Sequence, residues 1–163
     1  MGAGKSTVGR RLARRLGLGF VDTDEEIERA ATRSIAEMFD RFGEESFRDG
    51  ERRVIARLVA GEPKVIATGG GAFVDERTRT LILSRCIAIW LDADAETLAR
   101  RVSRRDHRPL LHGKEPLPVL QELAAARNPL YAQAHLRVAS EPAPHGRAVD
   151  AIVAALENWR PAA

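Results

Sequence analysis

The stretch GAGKSTVGRRLARRL, residues 2–16, decides the fold, because a glycine-rich turn runs directly into a helical pattern. Gly4, Lys5 and Ser6 match the end of the phosphate-binding loop motif G-x-x-x-x-G-K-[ST], whose first glycine would fall ahead of residue 1. In such a loop, backbone N–H groups at a helix N-terminus bind phosphate oxygens, since unpaired donors and the helix dipole both favour negative charge. We therefore expect Lys5 to reach the β- and γ-phosphates of a nucleotide and Ser6 to ligate Mg²⁺.

The bulk composition is that of one globular domain spanning residues 1–163. A net charge of +3, with no aromatic residues interleaved among the arginines, argues against a nucleic-acid partner. The single cysteine, Cys86, excludes an internal disulfide and is typical of a reducing compartment. No apolar run approaches the roughly 18 residues of a membrane span. We therefore predict a cytoplasmic protein without a membrane partner.

Short apolar runs alternate with helical patterns along the chain, which predicts an α/β domain with a mostly parallel sheet in a three-layer sandwich. The predicted strands are GFVD (19–22), KVIAT (64–68), CIAIWLD (86–92) and LRV (136–138), and a fifth is expected upstream of Met1. The charged, proline-containing stretch RRDHRPLLHGKEPLP (104–118) predicts a mobile loop. Helical segments are expected over 118–127 and 129–135.

Two carboxylates follow the first visible strand. Asp22 and Asp24 form a D-x-D pattern, and alternation along an extended chain would point both side chains the same way. Ligands of open α/β sheets bind at the carboxyl ends of strands. Asp22 could then hold a metal-bound water while Asp24 receives a hydroxyl. The alternative is that both simply begin an acidic helix with Glu25 and Glu26.

Three further features have both a functional and a structural interpretation. Arg48 and Glu51 are three residues apart on a helix and can form an ordinary ion pair. Three consecutive glycines, 69–71, follow a buried strand, and close backbone approach to a ligand explains them better than a plain turn. Arg108 could fold over a transferring phosphate, although most loop arginines are merely solvated.

In this order and spacing, GAGKST, DTD, FRxxE, TGGG, RPLL and RNPLY resemble the shikimate kinases, from residue 2 to about 138. That family belongs to the nucleoside monophosphate kinase-like P-loop proteins. The resemblance implies a three-layer α/β/α P-loop kinase fold with a five-stranded, mostly parallel sheet, and a mobile lid at about 104–118. It implies ATP and Mg²⁺ as cofactors, shikimate as substrate and a monomeric protein.

The resemblance also implies a role for each matching residue. The ATP phosphates would bind to Gly2, Ala3, Gly4, Lys5, Ser6 and Thr7, with Lys5 acting on the transferred group. Mg²⁺ would be held by Ser6 and, through water, by Asp22. Asp24 would bind and polarise the attacking hydroxyl, Arg48 and Arg127 would clamp the substrate carboxylate, and the backbone of Gly70 and Gly71 would meet its hydroxyls. Arg108 in the lid would reach the phosphates, and Arg101 would lie beside adenine.

Two departures from the family pattern stand out. Gln133 replaces the glutamate usual two residues after the RNPLY tyrosine. Relatives also carry roughly ten residues before Met1, which form a central strand and the first loop glycine. Because losing that strand would remove buried side chains that contribute about 1.5–3 kcal/mol each, a chain beginning at Met1 is expected to fold poorly.

Since every later motif is intact, we expect Met1 to be an internal methionine of the loop. A stop codon directly before it, with no apolar run ending in glycine, would contradict this hypothesis. Two alternatives to the leading function stay open: another small-molecule kinase of this superfamily, such as a gluconate kinase, and a non-catalytic nucleotide-binding module.

Overall fold

The computed structural model describes residues 3–102, 115–140 and 145–160, with the side chains of Val102, Pro116 and His145 not described. Helices and strands alternate along the chain. The helices are α1 (Lys5–Leu16), α2 (Thr23–Ala31), α3 (Ile35–Val59), α4 (Glu76–Arg85), α5 (Ala95–Val102), α6 (Pro116–Tyr131) and α7 (His145–Asn158). The strands are β1 (Gly19–Asp22), β2 (Lys64–Ala67), β3 (Ile89–Asp92) and β4 (Leu136–Ala139). Across these described ranges, no helix is long and apolar enough to cross a bilayer.

Helix α1 begins and ends at glycines in the left-handed region. Gly4, at φ 84°, precedes the helix, and Gly17, at φ 67°, follows it and donates its N–H to the carbonyls of Ala13 and Arg14. This conformation favours glycine because it has no Cβ. The apolar stripe predicted from the sequence is buried, with Val8 and Leu12 in the core. The phosphate-loop motif therefore leads directly into a well-anchored helix.

The four strands form two parallel pairs. β1 pairs with β2 from Gly19 opposite Lys64 to Asp22 opposite Ala67. β3 pairs with β4 from Ile89 opposite Leu136 to Asp92 opposite Ala139. The predicted strands and their parallel arrangement are confirmed, but within the described residues the two pairs are separate sheets.

Helices pack with apolar side chains on both faces of these strands, so the fold has three layers, helices, strands and helices. On one face Val8 and Leu12 of α1 pack with Val149 and Ile152 of α7 and with Val138 of β4. On the other face Ile55 of α3, Ile82 of α4 and Phe73 form a second cluster, joined at its edge by Tyr131 of α6. Strand β3 contributes to both, because Ile89 and Leu91 pack on the first cluster while the ring of Trp90 lies 6.0 Å from that of Tyr131.

Three predicted details differ in the structure. β1 ends at Asp22, so Asp24 lies in the first turn of α2, and the alternation argument for D-x-D is wrong. The structure instead contains the alternative, an acidic helix start, with Asp22 as the N-cap whose side chain accepts the N–H of Asp24 at 3.1 Å.

Helix α6 runs through Pro129 without a break, whereas two helical segments were predicted. Of the predicted lid, residues 116–118 belong to α6, and residues 104–114 lie outside the described ranges.

Candidate active site

The end of the phosphate loop and the end of β1 meet through one hydrogen bond. Ser6 lies in the first turn of α1 and donates its hydroxyl to Asp22 Oδ2 at 2.7 Å. Asp22 is held in place because its other oxygen caps α2. A hydroxyl and a carboxylate are thus side by side at a helix N-terminus, which is the oxygen-donor chemistry that Mg²⁺ prefers.

Asp24 lies in a partly buried and strongly charged setting. Burial raises the pKa of its carboxyl above the usual range, and the neighbouring carboxylate of Asp22 raises it further. Lys5 and Arg48 oppose that shift by favouring the ionised form. The sensitivity of Asp24 to both cations means that the phosphate loop and helix α3 face the same carboxyl group.

Arg48 is fixed by a buried partner on its own helix. Its Nη1 donates to Glu51 Oε2 at 2.6 Å, and Glu51 is only 1% exposed. Burial acts to lower the pKa of Arg48, but the hydrogen bonds and negative charges of Glu51 and Glu44 outweigh it and raise the pKa. The guanidinium also lies 5.2 Å from the ring centroid of Phe47, a cation–π distance. Arg48 is therefore a permanently charged, well-positioned group.

Two arginines converge on the triple-glycine turn. A Cβ added to Gly71 would lie 2.7 Å from Arg48 Cζ, and one added to Gly70 would lie 3.6 Å from Arg127 Nη1. A Cβ on Gly69 would lie 2.9 Å from Asp24 Oδ1. Charged side chains thus lie close to the backbone of this turn, and a Cβ at Gly69 or Gly71 would require Asp24 or Arg48 to shift. The predicted approach of a ligand to these glycines stays a prediction.

Two side chains hold the triple-glycine turn in place. Tyr131 donates its hydroxyl to the carbonyl of Gly70 at 2.7 Å, and the N–H of Gly69 donates to Thr23 Oγ1 at 3.3 Å. Thr23 is fully buried. Since it lies between Asp22 and Asp24 in sequence, its contact ties the turn to the two carboxylates.

A second chain of contacts reaches the phosphate loop from β4. Ser140, just past the end of β4, donates its hydroxyl to the carbonyl of Ala3 at 3.0 Å. Arg101 of α5 donates to Ser140 Oγ at 3.1 Å. This brings Arg101 close to Ala3 in the phosphate loop.

Most of the predicted site residues are therefore close together. The structure gathers Lys5, Ser6, Asp22 and Asp24 at the start of α1 and α2, and Arg48, Gly70, Gly71 and Arg127 at the glycine turn. Ala3 and Gly4 directly precede α1, and Thr7 is exposed in its first turn. Gly2 and Arg108 lie outside the described residues.

Sequence reasoning missed three supporting residues, and identified only the pairing of a fourth. Thr23, Tyr131 and Ser140 were not singled out, and Glu51 was considered only as an ion-pair partner. The position of Thr23 between two candidate site residues was the available local signal. Nothing local identifies Ser140, whose partner Ala3 is 137 residues away.

A family profile for shikimate kinase matches residues 1–157 of the chain. A relative named shikimate kinase from Caulobacter vibrioides (strain NA1000 / CB15N) is 60% identical over 158 residues, covering 97% of this chain and 79% of the relative. One of the same name from Zymomonas mobilis subsp. mobilis is 57% identical over 156 residues, covering 96% of this chain and 89% of the relative.

Solved structures give the same result. The fold is similar to that of a shikimate kinase from Acinetobacter baumannii in complex with shikimate, with a TM-score of 0.90 and 36% identity over 96% of this chain and 88% of that one. A gluconokinase from Sinorhizobium meliloti 1021, at 17% identity and a TM-score of 0.62 over 96% of this chain and 87% of that one, shares the fold alone. With its phosphate loop, carboxylate pair and arginine-flanked glycine turn in family order, this chain belongs to the shikimate kinase family.

Proposed function

We propose that this chain transfers the γ-phosphate of ATP to the 3-hydroxyl of shikimate, giving ADP and shikimate 3-phosphate. The observation that carries the proposal is the convergence of Arg48 and Arg127 on the glycine turn opposite Asp24. Such an arrangement suits a small molecule that carries one carboxylate and several hydroxyls. Membership of the shikimate kinase family supports the same substrate.

The two arginines would bind the substrate carboxylate. Each guanidinium offers a planar fork of donors that matches a carboxylate, and two of them fix the orientation of the acid as well as its position. Glu51 holds Arg48 beside Gly71, and the backbone of Gly70 and Gly71 is proposed to meet the hydroxyls. Positioning of this kind is a large part of the catalysis of phosphoryl transfer.

Asp24 would act as the base. As the 3-hydroxyl oxygen bonds to the γ-phosphorus, the bond from that phosphorus to the β–γ bridging oxygen breaks, ADP leaves and the hydroxyl proton passes to Asp24. A raised pKa makes the carboxylate a better proton acceptor, and Lys5 and Arg48 still favour its ionised form before the reaction.

The nucleotide would lie along the start of α1. Backbone N–H groups of Gly2, Ala3, Gly4, Lys5, Ser6 and Thr7 are proposed to bind the phosphates, and Lys5 to neutralise charge on the transferred group. Arg101 is proposed to lie near adenine, which its contact with Ser140 beside Ala3 supports. Arg108, within a lid at about 104–118 of the single domain 1–163, remains a proposed phosphate ligand.

The adjacent oxygens of Ser6 and Asp22 fit a divalent cation. Mg²⁺ commonly takes one or two protein oxygens and completes its shell with phosphates and water, and no group of three or more His, Cys, Asp or Glu side chains suited to a metal occurs in the described ranges. We therefore propose that Ser6 and, through water, Asp22 hold Mg²⁺, which would neutralise phosphate charge when bound.

We further propose that the protein is monomeric and acts in the cytoplasm on this small molecule, without a nucleic-acid or membrane partner. The pKa of the single thiol, Cys86, is raised by burial, which suits an unreactive core cysteine in a reducing compartment. Sedimentation of the purified protein with and without MgATP tests the monomer.

A substrate panel tests the reaction. ADP release from MgATP is measured with the full-length protein and shikimate, gluconate or no acceptor. Shikimate-dependent turnover, with ³¹P NMR locating the new phosphate on O3, is the expected result. Turnover of gluconate without shikimate would identify the other kinase class and overturn the proposal.

Thermal shift then separates an enzyme from a nucleotide-binding module. We expect both MgATP and shikimate to raise the unfolding temperature, because each binds only the folded state. A protein stabilised by MgATP that ignores shikimate would be a binding module, and the assignment of Arg48 and Arg127 would be wrong.

A further inference from the structure

Two carboxylates bind Arg48, and they do so at different atoms of the guanidinium group. Glu51 Oε2 accepts a hydrogen bond from Nη1 at 2.6 Å. Glu44 Oε1 accepts from Nε at 3.4 Å and from Nη2 at 3.3 Å. The Nε–Nη2 edge of an arginine is a fork that can bind both oxygens of a carboxylate. Glu44 thus occupies a fork that another carboxylate could use.

The edge that Glu44 occupies is also the one closest to the glycine turn. Nη2 of Arg48 lies nearest to the position of a Cβ built on Gly71, nearer than Cζ and Nη1, which are both 2.7 Å from it. Arg127 Nη1 approaches the neighbouring Gly70 in the same way. A carboxylate held by both arginines would lie beside this turn, so Nη2 is the donor of Arg48 best placed to meet it.

The two partners of Arg48 differ in how easily they can be replaced. The side chain of Glu51 is 2% exposed, whereas that of Glu44 is 70% exposed. A buried carboxylate that loses its partner is left uncompensated, but an exposed one can turn into water. The bonds to Glu44 are also longer than the ~2.7–2.9 Å that is usual between a cationic donor and a carboxylate. Glu51 is therefore a fixed partner and Glu44 a replaceable one.

Arg48 does not need Glu44 to keep its position. Besides its bond to Glu51, the guanidinium lies 5.2 Å from the ring centroid of Phe47 and 5.8 Å from that of Phe39, which are cation–π distances. The two rings support each other, with centroids 4.4 Å apart. Removing Glu44 would therefore free one edge of the guanidinium without releasing the side chain.

We propose that Glu44 is an internal competitor for the substrate carboxylate, which occupies the Nε–Nη2 edge of Arg48 in the free protein and releases that edge when the acid binds. The inference rests on the proposed function, in which Arg48 binds the carboxylate of shikimate. Because phosphorylation at O3 leaves that carboxylate unchanged, Glu44 regains the edge when the product departs. It therefore weakens the binding of the acid and of its phosphorylated product alike.

Binding measurements on the full-length protein test the proposal. Glu44→Gln keeps the size of the side chain and removes its charge, so the dissociation constant for shikimate, measured by calorimetry, should fall about threefold, the scale of an exposed ion pair. Glu45→Gln removes the same charge from an exposed neighbour and should leave that constant unchanged. The methyl ester of shikimate has no charged carboxylate to displace Glu44, so it should bind the parent protein and Glu44→Gln equally.

A spectroscopic measurement follows the exchange of partners directly. When shikimate is added to the parent protein, the ¹³C resonance of the Glu44 carboxylate should move toward the value of a solvated glutamate. The carboxylate resonance of Glu45 should not move. A Glu44 resonance that stays constant while shikimate saturates the protein would overturn the proposal.

Unchanged or weaker binding of shikimate by Glu44→Gln would also overturn it, because the ion pair would then only stabilise the helix or orient Arg48. An equal gain for the methyl ester would do the same, since the effect would not involve the carboxylate. Arg48→Ala separates this inference from the proposed function. If that variant binds shikimate as tightly as the parent protein, both fail; if it binds weakly while Glu44→Gln shows no gain, the inference fails alone.

Discussion

The carboxyl ends of the two strand pairs are built differently. At the β1–β2 end, two side chains hold the glycine turn, with the buried Thr23 accepting the N–H of Gly69 and the partly buried Tyr131 donating to Gly70. At the β3–β4 end, the exposed Arg137–Asp92 ion pair and the hydroxyl of Ser140 make the polar contacts that can be traced in the described part of the chain.

This difference separates two tasks. The β1–β2 end is proposed to orient a small acid with hydroxyls, and orientation needs donors whose own positions are fixed. The β3–β4 end reaches the nucleotide side through Ser140 and Arg101, where the phosphate loop supplies most of the binding. Damage to the first end should therefore alter the acid site strongly, and damage to the second should alter nucleotide binding weakly.

The largest effect is expected from Asp24→Asn, which removes the proposed base without changing side-chain shape. We expect kcat to fall by about 10²–10⁴, the usual contribution of a positioned base, with the KM for shikimate little changed. Steady-state kinetics measure both, and Glu25→Gln, at an exposed carboxylate one residue along, is the matched control. A kcat within a factor of three of the parent protein would contradict the role of Asp24.

The same substitution changes stability in a pH-dependent way. Because burial raises the pKa of Asp24 in the folded protein, the folded state binds its proton more tightly than the unfolded state. The parent protein therefore loses stability relative to Asp24→Asn as pH rises from the ordinary carboxyl pKa of 3.8 through the raised value. Unfolding temperatures of both proteins between pH 3.5 and 8 should diverge in that window, and parallel curves would show that Asp24 is not perturbed.

Arg48→Ala ranks next, because it removes one of the two guanidinium groups proposed to bind the acid. We expect kcat/KM for shikimate to fall about 100-fold, or about 2.7 kcal/mol, with the KM for ATP within twofold. Arg53→Ala, an exposed arginine on the same helix, is the control. Equal loss of affinity for both substrates would contradict the assignment.

Arg48→Lys is a second variant that distinguishes loss of substrate binding from a folding defect. It keeps a cation beside the buried Glu51 but loses the planar fork. An intermediate loss for shikimate is expected, with an unfolding temperature close to that of the parent protein.

Tyr131→Phe tests whether shikimate binding requires the hydrogen bond that holds the glycine turn in place. The ring can keep its contacts with Phe73 and Trp90 while the hydrogen bond to Gly70 is lost. A single hydrogen bond contributes about 1 kcal/mol, so the KM for shikimate should rise roughly fivefold with the KM for ATP unchanged. An unchanged KM for shikimate would mean that the turn is rigid without Tyr131.

The smallest effect is expected at the other strand pair. Ser140→Ala breaks the contacts that join Arg101 to Ala3. The KM for ATP should rise only about threefold, because Ser140 acts on the nucleotide indirectly, through Arg101 and Ala3, and the KM for shikimate should stay constant. An effect on shikimate larger than on ATP would reverse the proposed division between the two strand ends.

The sequence predicted elements whose signals are local. β1 has its predicted bounds, Gly19–Asp22, because the apolar run and the residues that end it are neighbours in sequence. Ser6 and Asp22 were both predicted to serve one magnesium ion, and the structure places their side chains in direct contact.

Other features depend on the folded chain and had no local signal. Asp24 was placed near the site by an alternation argument that the structure contradicts, and it reaches the site because it begins α2. Tyr131 and Ser140 bond to backbone atoms 61 and 137 residues away, so their roles come from strand order and helix packing. Gln133, noted for the glutamate it replaces, follows α6 and donates its N–H to the carbonyl of Leu130.

Gly43 interrupts α3 with φ 75° and ψ 172°, a backbone region that is essentially restricted to glycine. Ile27 of α2 packs with Met38 before this break and with Phe47 after it. Asp24 lies on α2, which contacts both parts of α3, and Arg48 lies after the break. A substitution that changed the torsion angles of Gly43 should therefore alter the distance between these two proposed site residues.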